Sequence, residues 1–323
     1  MRIVAVDLGG TNARFAIAEL HADRRPKLSE PRKYKTAEYS GLAAAWAAFA
    51  RDEGGRLPAA ASIAIAGPVE GELIRFTNSS WTIRPASLGE ELGIDGGLML
   101  LNDFAAMAAA VGVLRDEELV PLGGPSEALP AEGMTTVIGP GTGLGVAQLL
   151  RRKGRRIVIP TEGGHIDFAP LDDFEETLLR RLRSDHGRVS VERVVSGPAL
   201  ASIREAVARL GGAAIVPRGD AALWAGAIDG SDQYARQALD RLVMAFGSVA
   251  GDLALAHGSN AVVVTGGLAN RIRGRLEGPL FNDRFRAKGR FAPRMADIPI
   301  RLAVHPDPGL LGAAAAYQEE RRR

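Results

Sequence analysis

The 323-residue chain contains no cysteine, which removes disulfides, thiolate nucleophiles, iron–sulfur clusters and sulfur-liganded zinc from consideration. Histidine is scarce as well. The five present, His21, His165, His186, His257 and His305, form no HExxH pair, so zincin chemistry is excluded. Aromatic residues make up 5% of the chain, too few for platforms that stack the bases of a single strand. Forty Lys and Arg face 38 Asp and Glu, and the net +2 is a weak field on a chain of this size. Nucleic acid is therefore not an expected partner. The longest near-apolar runs, 41–50 and 105–114, are about ten residues, whereas a membrane span needs roughly 18. The opening MRIVAVDLGG enters a strand pattern at once, with no apolar leader or small-residue cleavage site. A soluble, cytoplasmic protein without a membrane partner is expected.

Two nucleotide signatures are missing too. Nothing fits GxxxxGK[ST], and no GxGxxG is followed by an acidic residue about twenty positions on. What the chain does have is 46% apolar residues and 39 glycines, many of them at the ends of apolar β-like runs. Ile3–Val6 leads through Asp7 into Gly9-Gly10-Thr11-Asn12 and a second run, 13–20. Residues 61–66 and 98–101 read as buried strands, the latter ending at Asn102-Asp103, with helical patterns at 39–52 and from 104 to about 113. Strand and helix alternating in this way imply an α/β chain.

Residues 121–133 carry three prolines and three glycines and read as a domain crossing. Beyond them the first pattern returns: 136–139, then Pro140-Gly141-Thr142-Gly143-Leu144-Gly145, then 146–150. The recurrence, about 130 residues on, reads as an internal duplication. Helical patterns follow at 173–186, with Asp172 or Asp173 as N-cap, at 197–210 and at 233–257. A strand at 261–265 ends in Gly266-Gly267, another covers 299–305, and Pro308-Gly309 opens a final helix. The basic run 151–156, interrupted by Gly154, reads as a solvated hairpin tip.

Glycine turns at strand ends can converge backbone N–H groups on phosphate oxygens, because no Cβ keeps the ligand away. Thr11 and Thr142 would each add a hydroxyl. The alternative for each turn is a tight hairpin that merely needs glycine. Asp7, at a strand end beside such a turn, is placed to hold Mg²⁺ through water, or simply to finish the strand. Asp103 is either the N-cap of the next helix or a base that accepts a hydroxyl proton. Glu162 and His165 flank Gly163-Gly164 and suit sugar hydroxyls, which both donate and accept. Asn78 reads as a polar lining residue or an Asx turn, and Glu192 as an ordinary neighbour of Arg193.

At this point the residues resemble a known family, the bacterial ATP-dependent glucokinases of the sugar kinase/Hsp70/actin superfamily. The matching segments are DLGGTNARFAI (7–17), LNDFA (101–105), GTGLGVA (141–147), EGGHIDFAP (162–170), ERVVSGP (192–198), KGRF (288–291) and PGLLGA (308–313). They run in family order over essentially the whole chain. The resemblance implies an α/β, two-domain actin-like ATPase (ribonuclease H-like) fold, with a small α/β domain of residues 1–113 plus 304–323. A larger α+β domain, 114–303, would complete it across a cleft. Gly9, Gly10, Thr11 and Asn12 match the first phosphate loop and Asp7 the Mg²⁺-associated aspartate. Gly141, Thr142 and Gly143 match the second phosphate loop, and Gly266 and Gly267 the adenosine motif. Asn102, Asp103, Glu162, His165 and Glu192 match the sugar-binding residues, with Asp103 as the base toward the 6-hydroxyl. The implied cofactors are ATP and Mg²⁺, the substrate D-glucose and the assembly a homodimer. Related repressors and kinases often carry a cysteine-rich zinc motif after EGGH. Without cysteine, His165 is expected to face sugar.

Overall fold

The computed structural model describes residues 1–22, 24–76, 79–214 and 216–322. The chain divides into two compact units: Met1–Leu114, Gln148–Pro160 and His305–Arg323 form the first, Arg115–Ala147 and Thr161–Val304 the second. No helix among the described residues is long and apolar enough to cross a membrane.

The first eight strands are β1 (Arg2–Leu8), β2 (Asn12–His21), β3 (Arg24–Leu28), β4 (Arg32–Lys35), β5 (Ala61–Ile65), β6 (Ile74–Arg75), β7 (Thr82–Ile83) and β8 (Leu98–Asn102). Six more follow: β9 (Leu119–Gly123), β10 (Gly133–Pro140), β11 (Leu144–Arg152), β12 (Arg155–Thr161), β13 (Ala261–Val264) and β14 (Ile300–Ala303). The first sheet has the order β3-β2-β1-β5-β8, with β4 on β2. The second has the order β12-β11-β10-β13-β14-β9. β1 runs parallel to β5 and β5 to β8, as β10 does to β13 and β13 to β14. One plan is thus used twice, with a glycine turn between β1 and β2 in the first sheet and between β10 and β11 in the second, as the repeated turn predicts.

The first sheet is buried on both faces, which is why β1 reads as a continuous apolar run. Side chains alternate. Val4, Val6 and Leu8 point with Phe15 toward the helix Leu42–Asp52, onto Trp46 and Phe49. Phe15 stacks on Phe49 with centroids 5.2 Å apart. Ile3, Ala5, Ala16 and Ala18 form the other face, where small residues admit the helices Asp103–Val111 and Pro308–Glu320 at close range. In the second unit the core gathers around the 24-residue helix Gln233–Ala256. Asp172 caps the helix Asp173–His186, accepting from Glu175 N at 2.9 Å.

Three expectations need correction. The turn-rich stretch from 121 contains an element: β9 pairs antiparallel with β14 at the sheet edge, where Pro121 is tolerated. The basic hairpin is only partly solvated. Its turn is Lys153-Gly154, both at positive φ, but Arg151 donates to Val111 O and Arg156 to Gly112 O, filling orphan carbonyls at the end of the helix Asp103–Val111. Arg156 also pairs with Glu319 at 3.2 Å, and Val158 packs on the small-residue core. Residues 148–160 therefore belong with the first unit, not with a continuous 114–303 domain.

Candidate functional site

In the first unit the chain reverses between β1 and β2 over Gly9-Gly10-Thr11. Gly9 N donates to Asn12 O at 2.9 Å. The carbonyls of Gly10 and Thr11 are both tied to Thr36, which donates its hydroxyl to the first and its N–H to the second. A planar trans peptide points its N–H opposite to its C=O. Anchoring Gly10 O inward therefore turns the Thr11 N–H outward, at an exposed residue.

Asp7 sits beneath this turn at the end of β1, with its side chain 16% exposed. Burial pushes its carboxyl above the ordinary aspartate range, and Arg14, whose Nη1 lies 3.2 Å away, offsets part of that. Asp307 lies 4.0 Å from the same guanidinium. The helix Pro308–Glu320 begins against this carboxylate: a Cβ on Gly309 would lie 2.6–2.9 Å from its three atoms. Desolvated and only partly neutralised, this carboxylate is a fit for a divalent cation. No group of three acidic or histidine side chains forms a metal cage among the described residues. One or two carboxylates, with water and phosphate oxygens as the other ligands, is how Mg²⁺ is usually held.

The end of β8 resolves which residue caps the following helix. Asn102 is the N-cap, its Oδ1 accepting from Phe104 N at 2.8 Å and Ala105 N at 3.3 Å, while its Nδ2 donates to Gly67 O at 3.0 Å. Asp103 is the first helical residue and half-buried, with Oδ1 2.9 Å from Phe104 N. The cap is therefore supplied by Asn102 and does not depend on Asp103.

In the second unit the Gly141-Thr142-Gly143 turn closes through Gly141 N to Gly143 O at 2.7 Å. Gly141 O accepts from Gly197 N at 2.7 Å, which turns the Thr142 N–H outward by the same peptide geometry. Both Gly-Thr pairs thus present an outward N–H, and Thr142, like Thr11, is exposed. The next residue, Leu144, is buried and gives its N–H to Glu192 Oε2 at 2.9 Å. Glu192 is half-buried in a 3₁₀ turn, Val191–Arg193, and is no mere surface neighbour of Arg193.

Glu162 and His165 are exposed at the two ends of a turn closed by His165 N to Glu162 O at 2.9 Å, with Nε2 and Oε2 3.9 Å apart. The glycines between them have a packing reason. Gly163 lies on the Val146 side chain, and a Cβ on Gly164 would collide with Leu144 O. The turn therefore rests on the start of β11. Residues 166–168 then pair with 189–191, through Val191 N to Ile166 O at 2.9 Å and Phe168 N to Val189 O at 3.0 Å. This pairing brings the His165 and Glu192 segments side by side. Gly266, at φ +99°, follows β13 as the N-cap of the helix Gly267–Arg271, and its carbonyl accepts from Asn270 N and Nδ2. A Cβ on Gly267 would meet open space.

Asn78 lies outside the described residues. Sequence reasoning missed Arg14, Asp307 and Gly309 as companions of Asp7, and Leu144 as the partner of Glu192. All but Asp307 lie inside the motif segments quoted above, so the signal was present without its reason.

Comparison with known proteins gives a consistent result. A family model described as Glucokinase matches residues 4–320. The glucokinase of Zymomonas mobilis is 51% identical over 317 residues, covering 98% of both chains. Among solved structures, a glucokinase from an Antarctic psychrotroph superposes with a TM-score of 0.85 at 31% identity, covering 98% of each chain. A ROK family glucokinase from Streptomyces griseus, in complex with glucose and AMPPNP, superposes with a TM-score of 0.58 at 20% identity, covering 97% of this chain and 98% of that one. The likenesses establish the architecture as the actin-like ATPase fold.

Proposed function

The chain belongs to the glucokinase family, and on that premise we propose that it transfers the γ-phosphoryl group of ATP to the 6-hydroxyl of D-glucose. The observation that carries this reading is the 51% identity to a glucokinase over 98% of both chains. In phosphoryl transfer the protein contributes mainly positioning and charge stabilisation, so a single well-placed base suffices.

Asp103 takes the O6 proton as the O6–P bond forms and the bond from the γ-phosphorus to its bridging oxygen breaks, releasing ADP. Asn102 holds the sugar beside it, with Asn78 as a further candidate lining residue. In the second unit Glu162, His165 and Glu192 accept from and donate to ring hydroxyls. A site made of such groups discriminates strongly against analogues lacking a hydroxyl. The turn Gly9-Gly10-Thr11-Asn12 receives phosphate oxygens in the first unit, with the Thr11 N–H as donor and the Gly9 N–H kept by Asn12 O to hold the turn. The turn Gly141-Thr142-Gly143 does so in the second through the Thr142 N–H, while the Gly141 N–H closes the turn onto Gly143 O, and Gly266 and Gly267 let the adenosine approach. Asp7 would hold Mg²⁺, which when bound with the nucleotide neutralises charge on the β and γ oxygens.

A homodimer is part of the proposal, supported by family resemblance, as is a cytoplasmic site of action, where ATP is at hand. The test is ADP release from Mg-ATP by purified protein, with D-glucose, with mannose, fructose or glucosamine, and with no sugar. Glucose-dependent release with glucose 6-phosphate as product is expected. ADP release independent of any sugar would sink the reading.

Gly309 supplies a prediction on the nucleotide side. In Gly309→Ala the new Cβ forces the Asp7 carboxylate aside. The KM for Mg-ATP is expected to rise between about ten- and a hundredfold, the scale of a misplacement near 1 Å. The KM for glucose should change far less. Steady-state kinetics at varied ATP and varied glucose separate the two, and equal rises in both would contradict the assignment of Asp7.

A further inference from the structure

Glu192 holds Leu144 N with one carboxylate oxygen, and Leu144 is the residue that leaves the second glycine turn. The same short segment holds that turn a second time, through Gly197 N on Gly141 O. Gly143 is the residue that makes this possible. An ideal Cβ there would fall onto Glu192 Oε2 and lie 2.9 Å from its Cδ. The carboxylate thus occupies the volume that any other side chain at 143 would fill.

We infer that Gly143 and Glu192 act as one unit, in which the carboxylate that takes a sugar hydroxyl also latches the phosphate-binding turn, so that sugar and nucleotide occupancy are coupled within the second unit. This rests on the reading of Glu192 as a sugar ligand. With Oε2 given to Leu144 N, Oε1 is the atom left for the hydroxyl. A hydroxyl donated to Oε1 fixes the carboxylate plane, which fixes Leu144 N and narrows the conformations of 141–143. Linkage makes the effect reciprocal: phosphate on the turn orders the carboxylate for sugar. Gly143 is then a positioning residue for glucose, although by motif it belongs to the nucleotide side.

The test is calorimetric titration of D-glucose in the absence of any nucleotide. Gly143→Ala is expected to keep its fold, because the atoms in its way are the end of a flexible side chain. It should nonetheless weaken glucose binding by at least about tenfold, within the range of couplings between residues in contact. The double variant Gly143→Ala/Glu192→Ala should bind glucose no more weakly than Glu192→Ala alone.

A second measurement is ADP titration. The wild type should bind ADP more tightly with glucose present, and Gly143→Ala should lose that gain. Glu192→Ala should weaken ADP binding even without sugar, with Glu192→Gln, which keeps an acceptor, in part restored. Unchanged glucose affinity in Gly143→Ala, or losses that simply add in the double variant, would overturn the coupling while leaving the function intact. Failure of the wild type to bind glucose would instead overturn the function reading, and the inference with it.

Discussion

Replacing Asp103 by alanine is expected to lower kcat by about 10²- to 10⁴-fold, the contribution of a positioned general base, while costing less stability than replacing its neighbour Asn102. The two halves of that expectation have separate causes. Asp103 stands at the first position of its helix, a place where an acid usually earns its keep by satisfying orphan N–H groups. Here that work is done one residue earlier. Asn102 Oδ1 accepts from both Phe104 N and Ala105 N, and Asp103 Oδ1 shares Phe104 N. Removing the Asp103 carboxylate therefore leaves the donor satisfied. Asn102→Ala is the contrasting variant. It loses the cap and the bond to Gly67 O, and is expected to cost about 1 kcal/mol of stability as well as weakening sugar binding. A pair of thermal melts and a pair of steady-state kinetic runs separate the roles. Normal turnover in Asp103→Ala would remove it as the base. A large loss of stability in that variant would show that the carboxylate is structural after all.

The difference between what was legible in the sequence and what was not follows from the range of the interaction involved. The glycine turns could be read because Gly9–Asn12 and Gly141–Gly143 follow apolar runs directly, a local pattern. The duplication could be read for the same reason, and the two sheets do share one strand order. Asn102-Asp103 could be placed at a strand end, yet which of the two caps the helix depends on backbone angles at a single residue. Glu192 looked like an unremarkable neighbour of Arg193 because its partner, Leu144 N, lies 48 positions away. Gly309 and Asp7 stand near opposite ends of the chain, so the need for glycine at 309 arises only once the last helix returns to β1. Arg151 and Arg156 read as solvated because a run of basic residues ordinarily is. Their partners are helix-end carbonyls that only the folded chain brings close. The family resemblance supplied roles for residues such as Glu192 that local pattern left ambiguous, without supplying the physical reason.

A large loss of stability from a single methyl group is expected at Gly312. Its position is inside the last helix, where Gly→Ala ordinarily gains about 1 kcal/mol. Here the sign reverses. A Cβ on Gly312 would fall onto the carbonyl oxygen of Ala106 and lie 3.0 Å from its Cα. Those atoms belong to the backbone of the helix Asp103–Val111, so no side-chain rotation relieves the overlap. The two helices must separate, and the alanine-lined contact of Ala105, Ala106, Ala313 and Ala314 opens with them. Gly312→Ala is expected to lose about 2 kcal/mol net, within the range for overpacking, and Gly312→Val more, with several degrees off the melting temperature. Gly274→Ala is the control. It too lies in a helix, Arg273–Leu276, but its Cβ would meet nothing within 4 Å, so it should be neutral or slightly stabilising. The same movement reaches function, because the displaced helix carries Asp103 in its first turn. Turnover in Gly312→Ala should therefore fall even well below its melting temperature. Equal melting temperatures for Gly312→Ala and Gly274→Ala would show that the helices separate at no cost, and would remove close approach as the reason for glycine at 312.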